Sequence, residues 1–362
     1  MKQGVVLSEE EASRLSRRSV AKGAALSLAA SLLSAPAEAK TSARASPLIK
    51  PPRLNEGDVV GLITPCGFLE QDGIDKSVRN LEAMGFKVHL GKHVLARRGR
   101  YAGTVAQRLE DLHAMFANPQ VNAVWAATGG SGGISLLPHI DYRLLRKHPK
   151  IFVGYSDVTC LHLAIQRQAR LVTFHGPVGI STFSDYSKQH LKAILMQPQQ
   201  QYVMAMSEEN QVKAQTAPQY RARTVRPGHA AGRLSGGNLS LVAALAGTPY
   251  AAELKRSILF LEDIGEAPYR IDRMLTQLDL SQGLRTAAAL LLGTFEKCEA
   301  PENESSLTLN ETVDDHLERL RVPAVCGYSF GHIANQMTLP LGVQARLDTA
   351  AQTLTLLESA VS

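Results

Sequence analysis

The chain has 362 residues, of which 44% are hydrophobic and 20% are charged. This is the usage of a globular protein, so the composition excludes wholesale disorder and collagen-like repeats. Aromatic residues make up only 5%, which argues against a stacking platform for single-stranded nucleic acid. The net charge of +6 comes from interspersed signs rather than a basic stripe, and no apolar run is long enough to span a bilayer. We therefore expect no nucleic-acid partner and no stable membrane insertion.

The first 39 residues show the features of an export signal in the usual order. Arg17 and Arg18 precede the apolar stretch 24–33, and a small-x-small pattern ends at Ala39. Paired arginines before a mildly hydrophobic stretch resemble a twin-arginine signal, a route that carries folded proteins. We expect a signal peptide over 1–39 and a periplasmic protein, or a cytoplasmic one if the signal is not used. A disordered amphipathic tail is the alternative.

The rest of the chain alternates apolar runs with amphipathic stretches. The predicted elements, in chain order, are strand 58–65, helix 72–84, strand 86–90, helix 104–118, strand 121–127, strand 150–155, helix 156–169, strand 171–177, strand 257–263, helix 271–280, strand 288–296, helix 312–320, strand 323–331 and strand 345–358. Strands in the first half are continuous apolar runs, typical of a buried parallel sheet.

This pattern predicts two domains of the α/β class. Residues 40–55 form a flexible leader, and the β-α alternation over 56–185 predicts a domain with a mainly parallel sheet. Residues 186–222 are polar, with little periodicity, and are interpreted as a linker or crossover. Residues 223–362 predict a second, β-rich domain.

The sharpest local feature is Ser156, which stands with Tyr155 and Asp157 between a predicted strand and a predicted helix. A tight turn there lifts the hydroxyl above the carboxyl end of the sheet. It also aims unpaired helix N–H groups at the same point, which suits a nucleophile and a developing oxyanion. The string lacks the second glycine of a G-x-S-x-G elbow. Because Ser is a favoured N-cap, a capping role is the alternative.

Three further features could take part in catalysis. The glycine-rich string 128–133 follows a strand, so it is either a backbone anion cradle or a plain tight turn. Glu262 and Asp263 end a predicted buried strand, where a carboxylate can orient an imidazole or can be a surface loop acid. His332 lies in a glycine-flanked loop, where a histidine is either functional or merely hydrogen-bonded at the surface.

The sequence predicts no metal site. His89 and His93 are four residues apart but fall on a strand and a loop, where this spacing does not share a face, and no HExxH string is present. The chain has four cysteines, none in a C-x-x-C pair; they are Cys66, Cys160, Cys298 and Cys326. We interpret them as small buried hydrophobic residues, while a disulfide stays open.

Longer strings, taken together, carry a family resemblance. They are GDVVGLITPCG (57–67), TGGSGGISLLPHIDY (128–142), KIFVGYSDVTCLHLA (150–164), LVTFHGP (171–177), LSGGNLSLVAALAGTPY (234–250), ILFLEDIGEAPYRIDRMLTQL (258–278) and CGYSFGHIANQMTLPLGVQARLD (326–348). In this order they resemble the serine L,D-carboxypeptidases, that is, the muramoyltetrapeptide carboxypeptidases, together with the related microcin-immunity peptidases.

The resemblance implies an N-terminal α/β domain, a C-terminal β-rich domain of swivelling, barrel-like form, and a Ser-Glu-His triad at their interface. Carried over to this chain, the nucleophile is Ser156, the carboxylate is Glu262 and the general base is His332. The oxyanion donors are the backbone N–H groups of Gly130 and Asp157. The resemblance implies no cofactor and no metal, and it implies a homodimer.

The implied substrate is the muropeptide stem L-Ala-D-Glu-meso-diaminopimelate-D-Ala, cut before the terminal D-Ala during peptidoglycan turnover. Thr128 and Ser131 stand where these carboxypeptidases often have Arg and Tyr, which leaves the contacts with substrate side chains open. The export signal is a second departure, because the family's recycling enzymes are usually cytoplasmic. The alternatives are a microcin-immunity-like hydrolase of a peptidyl conjugate and a non-catalytic periplasmic peptide-binding protein.

Overall fold

The computed structural model describes residues 48–301 and 303–362. The predicted export signal, 1–39, and the first part of the predicted leader lie outside the described residues. Within the described ranges, no helix combines the length and the apolar character needed to cross a membrane.

The strands follow the apolar runs of the sequence. Their bounds are β1 Val59–Ile63, β2 Lys87–Leu90, β3 Ala123–Ala126, β4 Ile151–Gly154, β5 Thr173–His175, β6 Tyr202–Met204, β7 Arg223–Arg226, β8 His229–Asn238, β9 Ser257–Ile264, β10 Ala289–Glu296, β11 Ala324–Cys326, β12 Leu339–Leu341, β13 Gln344–Asp348 and β14 Thr353–Leu356.

The helices lie mostly between strands. Their bounds are α1 Gln71–Glu82, α2 Val105–Ala117, α3 Tyr142–Lys147, α4 Thr159–Ala169, α5 Asp185–Leu195, α6 Glu208–Lys213, α7 Leu239–Ala244, α8 Pro268–Gln282 and α9 Leu309–Leu317. Helix α2 begins with a capping box, in which Thr104 accepts from the backbone of Gln107 and the Gln107 side chain accepts from the backbone of Thr104. This exchange satisfies two N–H groups that a helix start leaves unpaired.

The described strands form two sheets, and together with the helices they confirm the predicted mixed α/β class. The first sheet has the order β12-β5-β4-β3-β1-β2, in which β1 to β5 run parallel. The second has the order β6-β14-β13-β8-β9-β10-β11-β7, with a parallel centre from β8 to β11 and antiparallel flanks. Every residue of β3 and β4 is buried, as expected for strands covered on both faces.

The structure differs from the sequence prediction in four places. The described part of the predicted flexible leader is packed on the domain: Leu54 is buried, and its N–H donates to the Leu195 carbonyl at 2.8 Å. The segment 186–222 was expected as a linker or crossover, yet it holds most of α5 together with β6 and α6. Helix α5 buries Leu191, Ile194 and Leu195, but its polar neighbours dilute this stripe in the sequence. The predicted strand 345–358 is a hairpin of β13 and β14. The predicted strand 323–331 ends early, and a loop follows.

Two of the contacts between the first sheet's region and the C-terminal part of the chain position the site. Strand β12 pairs antiparallel with β5, so a strand from the last part of the chain completes the first sheet. At the end of β8, the backbone N–H of Asn238 donates to Thr159 Oγ1 at 3.0 Å, at the start of α4. These contacts bring the ends of β4 and β9 to one place.

Candidate active site

Ser156 occupies the turn between β4 and α4. Its φ is +64°, a left-handed conformation that costs energy in a non-glycine residue and that recurs at functional turns. The backbone therefore has the strained geometry of a nucleophile elbow, although the second glycine of that motif is missing. Among the described residues, the hydrogen bond found for the Ser156 hydroxyl goes to His332, and none goes to a helix N–H. The capping interpretation is therefore wrong.

The Ser156 hydroxyl is instead paired with an imidazole. Its Oγ lies 3.0 Å from His332 Nε2, and His332 Nδ1 lies 2.7 Å from Glu262 Oε2. The structure thus brings together the three side chains that the family resemblance implies, although they lie far apart in the chain. In this arrangement Nδ1–H donates to the carboxylate, which leaves Nε2 free to accept the hydroxyl proton.

Glu262 and Asp263 have different surroundings at the end of β9. Glu262 is fully buried, so the interpretation as a surface loop acid is wrong. Asp263 is held by the Asn238 amide at 2.9 Å and by the Ser240 backbone N–H and hydroxyl at 2.9 and 2.8 Å. The first acid therefore faces the imidazole, while the second ties β9 to the start of α7.

A glycine allows the His332 loop to approach β9 and β10 closely. Gly331 has φ +118°, and a Cβ there would lie 2.8 Å from the Thr294 carbonyl oxygen and 3.1 Å from Glu262 Cβ. The Tyr155 ring also packs against the imidazole, with the two ring centres 4.8 Å apart. The imidazole is thus confined between backbone and an aromatic ring, and its side chain is 13% exposed.

This setting leads to a pH prediction. Burial lowers the pKa of His332, but the Glu262 carboxylate, with Asp263 and Glu296 further away, raises it, and the net pKa lies above the ordinary 6.5. A base must be neutral to accept a proton, so activity is expected to fall as the pH drops through this pKa. We expect the acid limb of kcat/KM to lie above pH 6.5. A pH profile of the purified protein checks this, and a limb below 6.5 would contradict it.

Both residues that are expected to supply oxyanion donors lie near Ser156. Asp157 directly follows Ser156, and Gly130 lines the same cleft. Gly130 has φ +104°, and a Cβ there would lie 2.7 Å from the Gly67 Cα, so only glycine fits this approach. Their role as donors to an oxyanion stays a prediction.

The side chains that hold the glycine loop are ones that sequence reasoning missed. The buried Asp157 carboxylate accepts from the Gly133 backbone N–H at 2.7 Å. The Arg108 guanidinium donates to the carbonyls of Gly132 at 2.9 Å and Pro65 at 3.1 Å. Asp157, the residue after Ser156, therefore helps to fix the loop that carries Gly130. Nothing in the local sequence of Arg108 marks it for this role.

A cleft of about 440 Å³ opens over Ser156. It is lined by Thr128, Gly129, Gly130, Tyr155, Ser156, Val178, Ile180, Ser181, Thr182, His332, Ile333 and Ala334. Residues 178–182 follow β5, so the rule that ligands bind at the carboxyl ends of parallel strands could have indicated them. Thr128 lines the cleft, whereas Ser131 is not among the lining residues.

His89 and His93, considered above for a metal site, and the four cysteines do not line the cleft. His93 Nε2 pairs with Glu110 at 3.0 Å, and His89 lies on β2. In the described part of the chain, no three His, Cys, Asp or Glu residues group in a way that could hold a metal ion. All four cysteines are free thiols; three are buried, and Cys326 is half-buried.

Comparison with known protein families finds a matching domain in each half of the chain. Residues 60–176 match the family described as the LD-carboxypeptidase N-terminal domain, and residues 231–347 match the LD-carboxypeptidase C-terminal domain. A probable murein peptide carboxypeptidase of Bacillus subtilis is 38% identical over 318 residues, which cover 86% of this chain and 95% of the relative.

Two further proteins are similar over most of their length. The crystal structure of a muramoyltetrapeptide carboxypeptidase from Oxalobacter formigenes superposes with a TM-score of 0.70 at 30% identity, over 82% of this chain and 97% of that one. The microcin C7 self-immunity protein MccF of Escherichia coli is 26% identical over 340 residues, which cover 87% of this chain and 97% of the relative. With both domain matches and these relatives, the chain belongs to the LD-carboxypeptidase family.

Proposed function

We propose that this protein is a serine-type L,D-carboxypeptidase that removes the terminal D-Ala from muropeptide tetrapeptide stems. The observation that carries the proposal is the unbroken chain of hydrogen bonds from Ser156 through His332 to the buried Glu262, at 3.0 and 2.7 Å. The names of the relatives from Bacillus subtilis and Oxalobacter formigenes support a peptidoglycan substrate.

In the proposed reaction, Ser156 Oγ attacks the carbonyl carbon of the L-configured centre while His332 Nε2 takes the hydroxyl proton. Glu262 holds the imidazole in the required tautomer and stabilises the imidazolium. The backbone N–H groups of Gly130 and Asp157 bind the oxyanion, and each such donor is worth roughly 2.7–4 kcal/mol. His332 then protonates the D-Ala amine as the C–N bond breaks. Water hydrolyses the resulting acyl-enzyme.

The direct test is release of D-Ala from a purified stem peptide. We expect hydrolysis of the tetrapeptide L-Ala-D-Glu-meso-diaminopimelate-D-Ala and none of the pentapeptide. The terminal bond of the tetrapeptide joins an L-centre to a D-residue, whereas the terminal bond of the pentapeptide joins two D-residues. EDTA is expected to leave the rate unchanged, since the nucleophile and the base are both side chains of the chain. Amino-acid analysis of the products checks both points. Loss of rate on chelation would contradict the assignment of the triad.

A second candidate uses the same three residues on a different substrate. It is a hydrolase of a peptidyl conjugate, and it is favoured by the similarity to MccF and by Thr128, which lines the cleft where these carboxypeptidases often have Arg. An amide that joins an L-residue to a non-peptide leaving group distinguishes the two functions. If it is cleaved faster than the tetrapeptide, the second candidate is favoured.

We further propose that the protein acts in the periplasm. The support is the arginine pair and apolar stretch of residues 1–39. A fusion of these residues to a reporter, compared with a variant in which Arg17 and Arg18 are both Lys, tests the route. Export that does not depend on the arginine pair would contradict it. The homodimer implied by the resemblance also stays a prediction.

A further inference from the structure

The loop that carries His332 is held by two helices, α5 and α6, which lie almost entirely within the segment 186–222. On one side, the fully buried Ser187 of α5 reaches the loop. Its Oγ accepts from the Gln336 backbone N–H at 3.0 Å and donates to the Ala334 carbonyl at 3.2 Å. One hydroxyl thus pairs with two backbone groups of the loop that carries His332.

Helix α6 holds the same loop from another direction. The amide of Asn210, a buried residue, donates to the Asn335 carbonyl at 2.8 Å. The Ser207 backbone N–H, just before α6, donates to Ser329 Oγ at 3.0 Å. Asn335 returns a hydrogen bond from its own amide to the Glu209 carboxylate. The loop is therefore fixed at both its entry and its exit.

We propose that Ser187 and Asn210 are positioning residues for the general base. They hold the loop so that His332 contacts Ser156 and Glu262 at the same time. This inference rests on the proposed function, because it takes His332 as the general base of that reaction.

The burial and the short distances explain why these contacts set the position of the loop. A loop has no ladder of hydrogen bonds of its own, so its buried backbone groups need partners from elsewhere. Removal of a partner leaves a buried donor or acceptor unpaired, which favours a shift of the loop toward water. Ile333 and Ala334 line the cleft next to His332, so such a shift moves the imidazole as well.

The test uses Ser187→Ala and Asn210→Ala, with Ser77→Ala as the matched control. Ser77 is equally buried, and its hydroxyl donates only to the Gly73 carbonyl within α1. A misplacement of about 1 Å at a reacting group costs up to roughly 100-fold in rate. We therefore expect each test variant to lose about 10- to 100-fold in kcat/KM, while Ser77→Ala keeps the wild-type value.

The pH profile distinguishes positioning from a loss of folded protein. The groups that face or influence the imidazole are Glu262, Asp263, Glu296, Tyr155 and His175. Of these, Glu262 makes the largest contribution that raises the pKa of His332. Burial lowers this pKa, but the net effect of the site is to raise it above 6.5. A loosened loop weakens both effects, so the acid limb of kcat/KM is expected to move back toward 6.5, that is, to lower pH, in both test variants. A smaller folded fraction scales the whole profile and leaves the limb in place.

A substrate-independent readout separates this inference from the proposed function. A fluorophosphonate reacts with a serine activated by its base, whatever the natural substrate. We expect the wild-type protein and Ser77→Ala to be labelled at Ser156, and Ser187→Ala and Asn210→Ala to be labelled more slowly. Labelling of all four proteins at one rate would overturn the inference. Absence of labelling in the wild-type protein would instead overturn the triad. Circular dichroism shows which variants are folded, and either test variant alone suffices.

Discussion

Ser156→Ala is expected to lower the turnover of the tetrapeptide stem by about 10⁴- to 10⁶-fold, because it removes the attacking atom. The fold is expected to survive. In the described residues, the contact with His332 Nε2 is the hydrogen bond found for the Ser156 side chain, so its loss leaves no helix N–H without a partner. D-Ala release, measured with a thermal melt of the same sample, checks both points.

The matched control for this variant is Ser77→Ala, a buried serine on α1 far along the chain from the triad. We expect it to retain the wild-type turnover. A peptide-binding protein without catalysis would show equal ligand affinity in wild type and Ser156→Ala and no product from either. That outcome would contradict the proposed enzyme.

Glu262→Gln is the second change with a large expected effect. The amide has nearly the same shape but no charge, so it no longer stabilises the imidazolium or fixes the tautomer of His332. A drop in kcat of about 10⁴-fold is expected, by analogy with the Asp→Asn change in Ser-His-Asp enzymes. Because this carboxylate also raises the pKa of His332, the acid limb of the residual activity is expected to move to lower pH.

Asp263→Asn is the control for that experiment. Asp263 is the next residue on β9 and is also buried, but its partners are Asn238, Ser240 and the Ile264 N–H rather than the imidazole. We expect a lower melting temperature and a kcat within about tenfold of wild type, since a lost buried contact costs stability. Equal losses of kcat in both variants would contradict the separate roles of the two acids.

The sequence was informative where one local pattern determines one structure. Continuous apolar runs predicted β1, β3 and β4, because a strand covered on both faces leaves no polar positions. The strand–Ser156–helix junction predicted a hydroxyl raised above the carboxyl end of the sheet. The choice of His332 and Glu262 as its partners did not follow from local sequence. It came from the family resemblance, since no spacing rule links residues so far apart in the chain; Ser156 and His332 are separated by 176 positions.

Features that depend on tertiary contacts were beyond local sequence. The positive φ of Ser156 and the lock between Asp157 and Gly133 exist only once β4 and the glycine loop are side by side. Helix α5 was missed because its buried stripe alternates with polar residues, and those residues include Ser187, which bonds across to another loop. A composition that looks like a linker can thus belong to a segment whose polar atoms are used inside the protein.

The pairing of β12 with β5 has a consequence for how the molecule loses its structure. Because a C-terminal strand closes the edge of the N-terminal sheet, neither half has a complete hydrogen-bonded surface when expressed as a separate fragment. Ser362 also exchanges backbone hydrogen bonds with Pro51 and Arg53, at 2.9 and 3.1 Å. The two halves are therefore expected to melt in one cooperative transition, and the catalytic groups they contribute are lost together.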